Sequence, residues 1–175
     1  LGVKRWVGSA EMDPTSVAAA AIPDRVQVLE VEGQVERERA GGWEPVAIGQ
    51  LLRVDDTLRT SSGAGATLAN GGRSRLAGSD STQLTVHEVT AAMQRLRIAR
   101  GRTSVDHQPD GSRVVVVESE RGDSIARAGA ARFSVLASGT ALAVATEAGV
   151  VRLQSGDRAF EVAAGRRSVS FRGQP

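Results

Sequence analysis

The sequence contains no cysteine and no tyrosine, and it has only two histidines, His87 and His107. Without cysteine, disulfide bonds and thiolate chemistry are excluded. His87-Glu88 would be half of a metal site, but no HxxxH spacing or cysteine completes it. With so few histidines, no Ser-His-Asp arrangement is convincing either. We therefore expect no enzyme, no cofactor and no metal site.

Lysine and long hydrophobic runs are also scarce. All but one of the 22 basic residues are arginine, the exception being Lys4, and the net charge is only +2. The charges are interspersed and no aromatic ladder is present on which bases could stack, so no nucleic-acid partner is expected. No apolar run approaches the roughly 20 residues of a membrane span. Because the chain starts at Leu1 rather than Met, we expect any signal sequence or membrane anchor to lie upstream.

What the sequence does contain is a period-two alternation of apolar and polar residues that begins at Arg25 and is broken by glycines, of which the whole chain has 20. Short segments at 57–60, 66–69 and 74–77 are separated by Ser61-Ser62-Gly63 and by Asn70-Gly71-Gly72, and Asn70-Gly71 is the strongest hairpin signal. We predict an all-β fold of many short antiparallel strands in a stacked, β-solenoid-like or two-sheet arrangement. Val114–Val117 should be its most buried strand, and the three phenylalanines, Phe133, Phe160 and Phe171, should lie in its core.

Two stretches are harder to assign. Residues 86–100 allow either a helix ending at Gly101 or two strands, and the surrounding pattern favours strands. Residues 1–25 differ in composition from the rest, and Asp13-Pro14 is a typical start for a short helix. We expect a linker or short helix over 1–25 and one β domain over 26–175.

An internal repeat is also visible. Gly33 and Gly49 bracket a segment of the same length as Gly149 and Gly165, and a further copy begins at Gly101. One hairpin cannot bury its apolar face alone, so a repeated hairpin unit predicts stacked β layers.

Residues 26–171 resemble the FecR domain. The resemblance rests on a G-x-V start, on a W-x-P-V-x-x-G stretch that leads to D-x-L-x-T, on a G-A block and on an ending of F-x-V, G-V and G. These are Gly33-Gln34-Val35, then Trp43, Pro45-Val46, Gly49, Leu52, Asp56, Leu58 and Thr60, then Gly65-Ala66, and finally Phe133-Ser134-Val135, Gly149-Val150 and Gly165. The chain departs from the family at Asn70-Gly71-Gly72, where Asp-Gly-Ser is usual, and at Ala130-Ala131, where Gly-Thr is usual.

The resemblance implies a non-enzymatic, extracytoplasmic module of the bacterial envelope. It further implies a periplasmic location with an anchor in the inner membrane, and a partner that is another envelope protein, such as a transporter, regulator or scaffold. Two functions remain open: the sensory part of a transmembrane anti-sigma-like regulator, or a structural scaffold component that binds peptidoglycan or polysaccharide.

Five residues are candidates for partner binding. Trp43 follows a Gly-Gly turn and is either a cap over the end of the β stack or a contact anchor. Four arginines are clustered, and as strand residues on both sides of a glycine they either line one face that meets an acidic partner or glycan, or form a solvated face; they are Arg95, Arg97, Arg100 and Arg102.

Overall fold

The computed structural model describes residues 25–69 and 73–171, and all of its regular structure is β-strand. The predictions for residues 1–24 and for the Asn70-Gly71 turn therefore lie outside the described residues. The strands are β1 (Val26–Glu32), β2 (Val35–Arg39), β3 (Gly42–Pro45), β4 (Leu51–Leu52), β5 (Thr57–Thr60), β6 (Gly65–Ala69), β7 (Arg75–Gly78), β8 (Gln83–Val89), β9 (Met93–His107), β10 (Val114–Ser119), β11 (Ser124–Ala128), β12 (Ala131–Ala137), β13 (Ala141–Ala148), β14 (Val150–Ser155), β15 (Arg158–Ala163) and β16 (Arg167–Phe171).

These 16 strands are connected by hydrogen bonds into one mixed, open sheet that folds over into two layers. Sheet I has the strand order β4-β1-β6-β7-β9-β12-β13-β16. Sheet II has the order β3-β2-β5-β8-β9-β10-β11-β14-β15. The all-β prediction is confirmed, and residues 86–100 are strand rather than helix.

Strand β9 belongs to both sheets. Its first half pairs with β8 and β10 in sheet II, and its second half pairs with β7 and β12 in sheet I. The bend between the halves lies at Gly101, whose φ of +91° is disfavoured for residues with a side chain. A Cβ at this position would lie 2.5 Å from the Cα of Thr82, so glycine also allows the close approach of the two segments.

The strands do not simply follow one another as hairpins, as the sequence suggested. The chain crosses between the layers repeatedly. It passes from sheet I to sheet II at Gly33, and β4 then lies in sheet I before β5 returns to sheet II. It crosses back to sheet I at residues 61–64, so β5 and β6 are not partners. It crosses again after β9, and β10 re-enters sheet II parallel to the first half of β9. This pair departs from the expected antiparallel pattern because the connection crosses between layers instead of turning within one.

The predicted repeat is present at the two ends of the fold. In the first copy, β1 of sheet I crosses at Gly33 into the β2–β3 hairpin of sheet II, and Gly49 N–H then donates to Val28 C=O at 2.8 Å. In the last copy, β13 crosses at Gly149 into the β14–β15 hairpin, and Gly165 N–H donates to Thr146 C=O, again at 2.8 Å. Gly101 is different, because it lies inside a single long strand.

The core lies between the layers and consists mostly of valine, leucine and alanine. Phe133 is its largest fully buried side chain, and Val115 and Val117 belong to it. Val116 is also buried, but on the outer side of sheet II, and Val114 is only partly buried. The prediction for Phe160 and Phe171 is wrong: they are 47% and 53% exposed. Phe160 lies on the edge strand β15, where no further strand covers it. Phe171 follows the buried Ser170 on β16, so its side chain points to the solvent side of sheet I.

Candidate interaction face

Two of the predicted arginines lie together on the outer surface of sheet II. In the first half of β9 the side chains of Gln94, Leu96 and Ile98 are buried, so those of Arg95 and Arg97 point away from the core. The parallel pairing with β10 places Arg95 beside Val116 and Arg97 beside Glu118.

Glu118 is the centre of this arrangement and is only 3% exposed. One carboxylate oxygen accepts from Arg97 Nη2 at 2.9 Å and from Arg97 Nε at 3.1 Å. The other oxygen is 3.5 Å from Arg95 Nη1, and His87 Nε2 lies 3.9 Å from the carboxylate. Charge-assisted hydrogen bonds of this kind are about twice as strong as neutral ones. The carboxylate therefore positions the Arg97 guanidinium through two hydrogen bonds and attracts the Arg95 guanidinium through an ion pair.

Two further arginines lie on the same surface. Arg127 on β11 is in register with Val116, and Arg152 on β14 is in register with Arg127. Both are exposed, and within the described residues neither has an acidic partner within ion-pair distance. We call the surface formed by Arg95, Arg97, Arg127, Arg152 and Glu118 the arginine face.

Sequence reasoning missed Arg127 and Arg152. Each occupies the polar position of a period-two strand, which marks it as outward-facing. The pairing of β11 with β14 brings the two arginines together, and no local pattern in the sequence reveals that pairing.

The other two predicted arginines lie elsewhere. Arg100 is paired with Gln83 and lines a shallow polar groove of about 370 Å³, together with Glu36, Arg59 and Ser61. Arg102 follows the bend at Gly101, where β9 enters sheet I, and it is in register with Leu136 on the outer surface of that sheet. The four predicted arginines therefore do not share one face, because the glycine between them is where β9 changes sheets.

Trp43 lies on β3, the edge strand of sheet II, and is half-buried. The guanidinium of Arg59 stacks over its ring at 4.0 Å from the centroid, and Arg59 Nε donates to Glu36 Oε2 at 2.7 Å. This hydrogen bond lowers the pKa of Glu36. Trp43 is thus held by a cation–π contact with Arg59, and Arg59 and Arg100 both line the polar groove.

Within residues 25–69 and 73–171, no group of three or more histidine, aspartate or glutamate side chains is arranged to hold a metal ion. No helix in this part of the chain is long and apolar enough to cross a membrane.

Comparison with known proteins identifies the fold. No family model matches the sequence, and no curated protein matches it. Among solved structures, the chain is similar to two crystal structures, at 1.65 Å and 2.50 Å resolution, of a putative anti-sigma factor from Parabacteroides distasonis ATCC 8503. For both, the TM-score is 0.58 and the sequence identity is 12%, over 67% of this chain. The chain covers just over half of those chains, 56% and 55%. The structural neighbours are thus putative anti-sigma factors, and the likeness shows that they share this β architecture.

Proposed function

We propose that this chain is a non-enzymatic protein-interaction module of the bacterial cell envelope and the sensory part of an anti-sigma-like regulator. In this proposal the domain is periplasmic, is anchored to the inner membrane through a segment upstream of Leu1, and receives its signal from another envelope protein. The observation that carries the proposal is the fold shared with a putative anti-sigma factor at a TM-score of 0.58. The FecR-like residues of the sequence point in the same direction.

The arginine face supports an interaction role. The strands that carry it are hydrogen-bonded on both sides, and Glu118 positions the Arg97 guanidinium and forms an ion pair with Arg95. A surface that is ordered before binding loses little conformational freedom when a partner docks.

Location can be tested by cysteine labelling, because this sequence contains no cysteine. Ser104 is exposed on the outer surface of sheet I, so Ser104→Cys provides a unique label in the domain. In intact spheroplasts, a membrane-impermeant maleimide should label this variant and not the unaltered protein. Labelling only after lysis would place the domain in the cytoplasm and overturn the location.

The regulatory role is tested by deleting the gene in its native host and sequencing the transcripts. A regulator of this class should change the expression of one coherent set of sigma-factor-dependent genes, and the intact gene supplied in trans should restore it. Unchanged transcription would overturn the regulatory proposal.

A second function, binding of peptidoglycan or polysaccharide, is favoured by one observation. Arg59, which stacks over the ring of Trp43, lines a polar groove together with Glu36 and Arg100. An aromatic ring close to such polar groups is suited to a sugar. If this function is correct, the domain should co-sediment with insoluble peptidoglycan, and Trp43→Ala should remain in the supernatant. If the unaltered domain also stays in the supernatant, this second function is excluded.

A further inference from the structure

We propose that the arginine face binds a short acidic segment of the partner protein, with the partner's carboxylates bound by Arg127 and Arg152. This inference rests on the interaction role proposed above and adds to it the chemistry of the partner and the residues that recognise it.

The first observation is the position of the two arginines. Arg127 and Arg152 are directly opposite each other on neighbouring antiparallel strands, where side chains are about 5 Å apart. Like charges at such a position destabilise a sheet. Glu118 forms ion pairs with both Arg95 and Arg97 and so offsets the repulsion between them. Arg127 and Arg152, in contrast, have no ion-pair partner in the described part of the chain. A carboxylate from outside would complete the pair.

The second observation is that acidic residues limit the positive region at both ends. One row of residues crosses the sheet in register, and its order is Glu88, Arg95, Val116, Arg127, Arg152 and Glu161. A long uniform polyanion or an anionic membrane would also meet the glutamates at the two ends and be repelled by them. The pattern therefore favours a ligand with a short negatively charged segment that lies opposite the arginines at the centre of the row.

The third observation is an apolar side chain within the basic region. Ile125 is half-buried and precedes Arg127 by two residues on β11, so both side chains are on the outer surface of sheet II. Ile125 is also in register with Glu118 and Gln154. A protein segment can supply an apolar side chain to Ile125 next to carboxylates for the arginines, and an acidic sugar chain supplies only the carboxylates. This contrast favours a peptide.

The experiment uses two labelled nine-residue peptides and fluorescence anisotropy at low ionic strength. In the first peptide, glutamates at alternating positions flank a central leucine; in the second, glutamine replaces every glutamate. The chain should bind the first peptide at least tenfold more tightly than the second. The double variant Arg127→Gln/Arg152→Gln should bind the acidic peptide at least tenfold more weakly than the unaltered chain.

The matched control is Arg75→Gln/Arg167→Gln, which removes the same charge from exposed positions on the outer surface of sheet I. This control should change the affinity less than twofold. Equal weakening by both double variants would show non-specific attraction and overturn the inference, as would the absence of binding by the unaltered chain. Far-UV circular dichroism of both variants establishes that they are folded.

Two competitors test the ligand class. Oligogalacturonate and vesicles containing phosphatidylglycerol should displace the acidic peptide poorly. If either one binds more tightly than the peptide and also depends on Arg127 and Arg152, the partner is not an acidic protein segment. The peptide and transcript experiments can be interpreted separately. Specific peptide binding with unchanged transcription would retain this inference and reject the regulatory role. Changed transcription without peptide binding would reject this inference alone.

Discussion

Replacing Gly101 by alanine should strongly destabilise the fold, because two separate costs coincide at this residue. Its φ of +91° is a backbone conformation that costs a residue with a Cβ about 1–2 kcal/mol. The new Cβ would also lie 2.5 Å from the Cα of Thr82 and 2.8 Å from the carbonyl oxygen of Ser81. Overpacking of this kind costs roughly 1–3 kcal/mol.

Thr82 cannot easily move away. It is 2% exposed, its hydroxyl donates to Arg102 C=O and accepts from Arg102 N–H, both at 2.9 Å, and its own N–H donates to Thr60 Oγ1 at 2.9 Å. Alanine also lowers the conformational entropy of the unfolded chain, and this effect stabilises the variant by about 0.4–1 kcal/mol. The net loss should be about 2–4 kcal/mol, a large part of the roughly 5–15 kcal/mol that stabilises a typical domain.

The measurement is urea unfolding followed by far-UV circular dichroism, with Gly111→Ala as the control. Gly111 has a similar φ of +95°, but a Cβ there would meet nothing within 4 Å. Gly111→Ala should therefore pay only the cost of the positive φ, which is about 1 kcal/mol or less once the effect on the unfolded chain is subtracted. If the two variants lose the same free energy of unfolding, the close packing of Gly101 on Thr82 does not contribute, and the reasoning is refuted.

Three further predictions concern charged and titratable groups. Glu118→Gln should lower the free energy of unfolding by about 1–3 kcal/mol in urea, less than for a fully buried pair because both arginines reach solvent; no loss would contradict the role given to this carboxylate. Replacing Arg127 alone by glutamine leaves Arg152 opposite Glu161 and should instead raise the thermal unfolding midpoint, since a like-charge cross-strand pair costs roughly 0.2–1 kcal/mol, and a lower midpoint would show that the two arginines do not repel. Burial lowers the pKa of His107 below its usual value, so the unfolded chain takes up the proton first. The stability that neutral His107 contributes should be fully present above about pH 6.5. Below that pH the free energy of unfolding should fall by up to about 1.4 kcal/mol per pH unit, and His107→Gln should remove this pH dependence.

The strands themselves could be predicted from the sequence because burial on one face requires alternation. Val26 and Val28 are buried in β1, and Val115 and Val117 in β10, as period-two spacing indicates. Alternation, however, gives only the buried side of a strand and not the layer to which it belongs. A glycine at which the chain turns within one sheet and a glycine at which it crosses to the other, such as Gly33, look alike in the sequence. For this reason the connection between β5 and β6 could not be distinguished from a hairpin.

The candidate face was predictable only in part. Arg95 and Arg97 are two residues apart, so a strand places them on one side without further information. Arg102 would have been on the opposite side of a regular strand and is instead on another sheet, because β9 bends at Gly101. Arg127 and Arg152 depend on the register between β11 and β14, which is set by the packing of the whole fold.

The sharing of β9 between the layers also has a consequence for strand register. Because side chains alternate with period two, a shift of one residue moves every buried side chain of a strand to the solvent side. In β9 such a shift would expose Leu96 and Ile98 in sheet II and Val105 in sheet I at the same time. It would also move the bend away from Gly101. A misaligned intermediate therefore loses its core contacts in both layers at once, and a single 15-residue strand specifies the alignment of the whole domain.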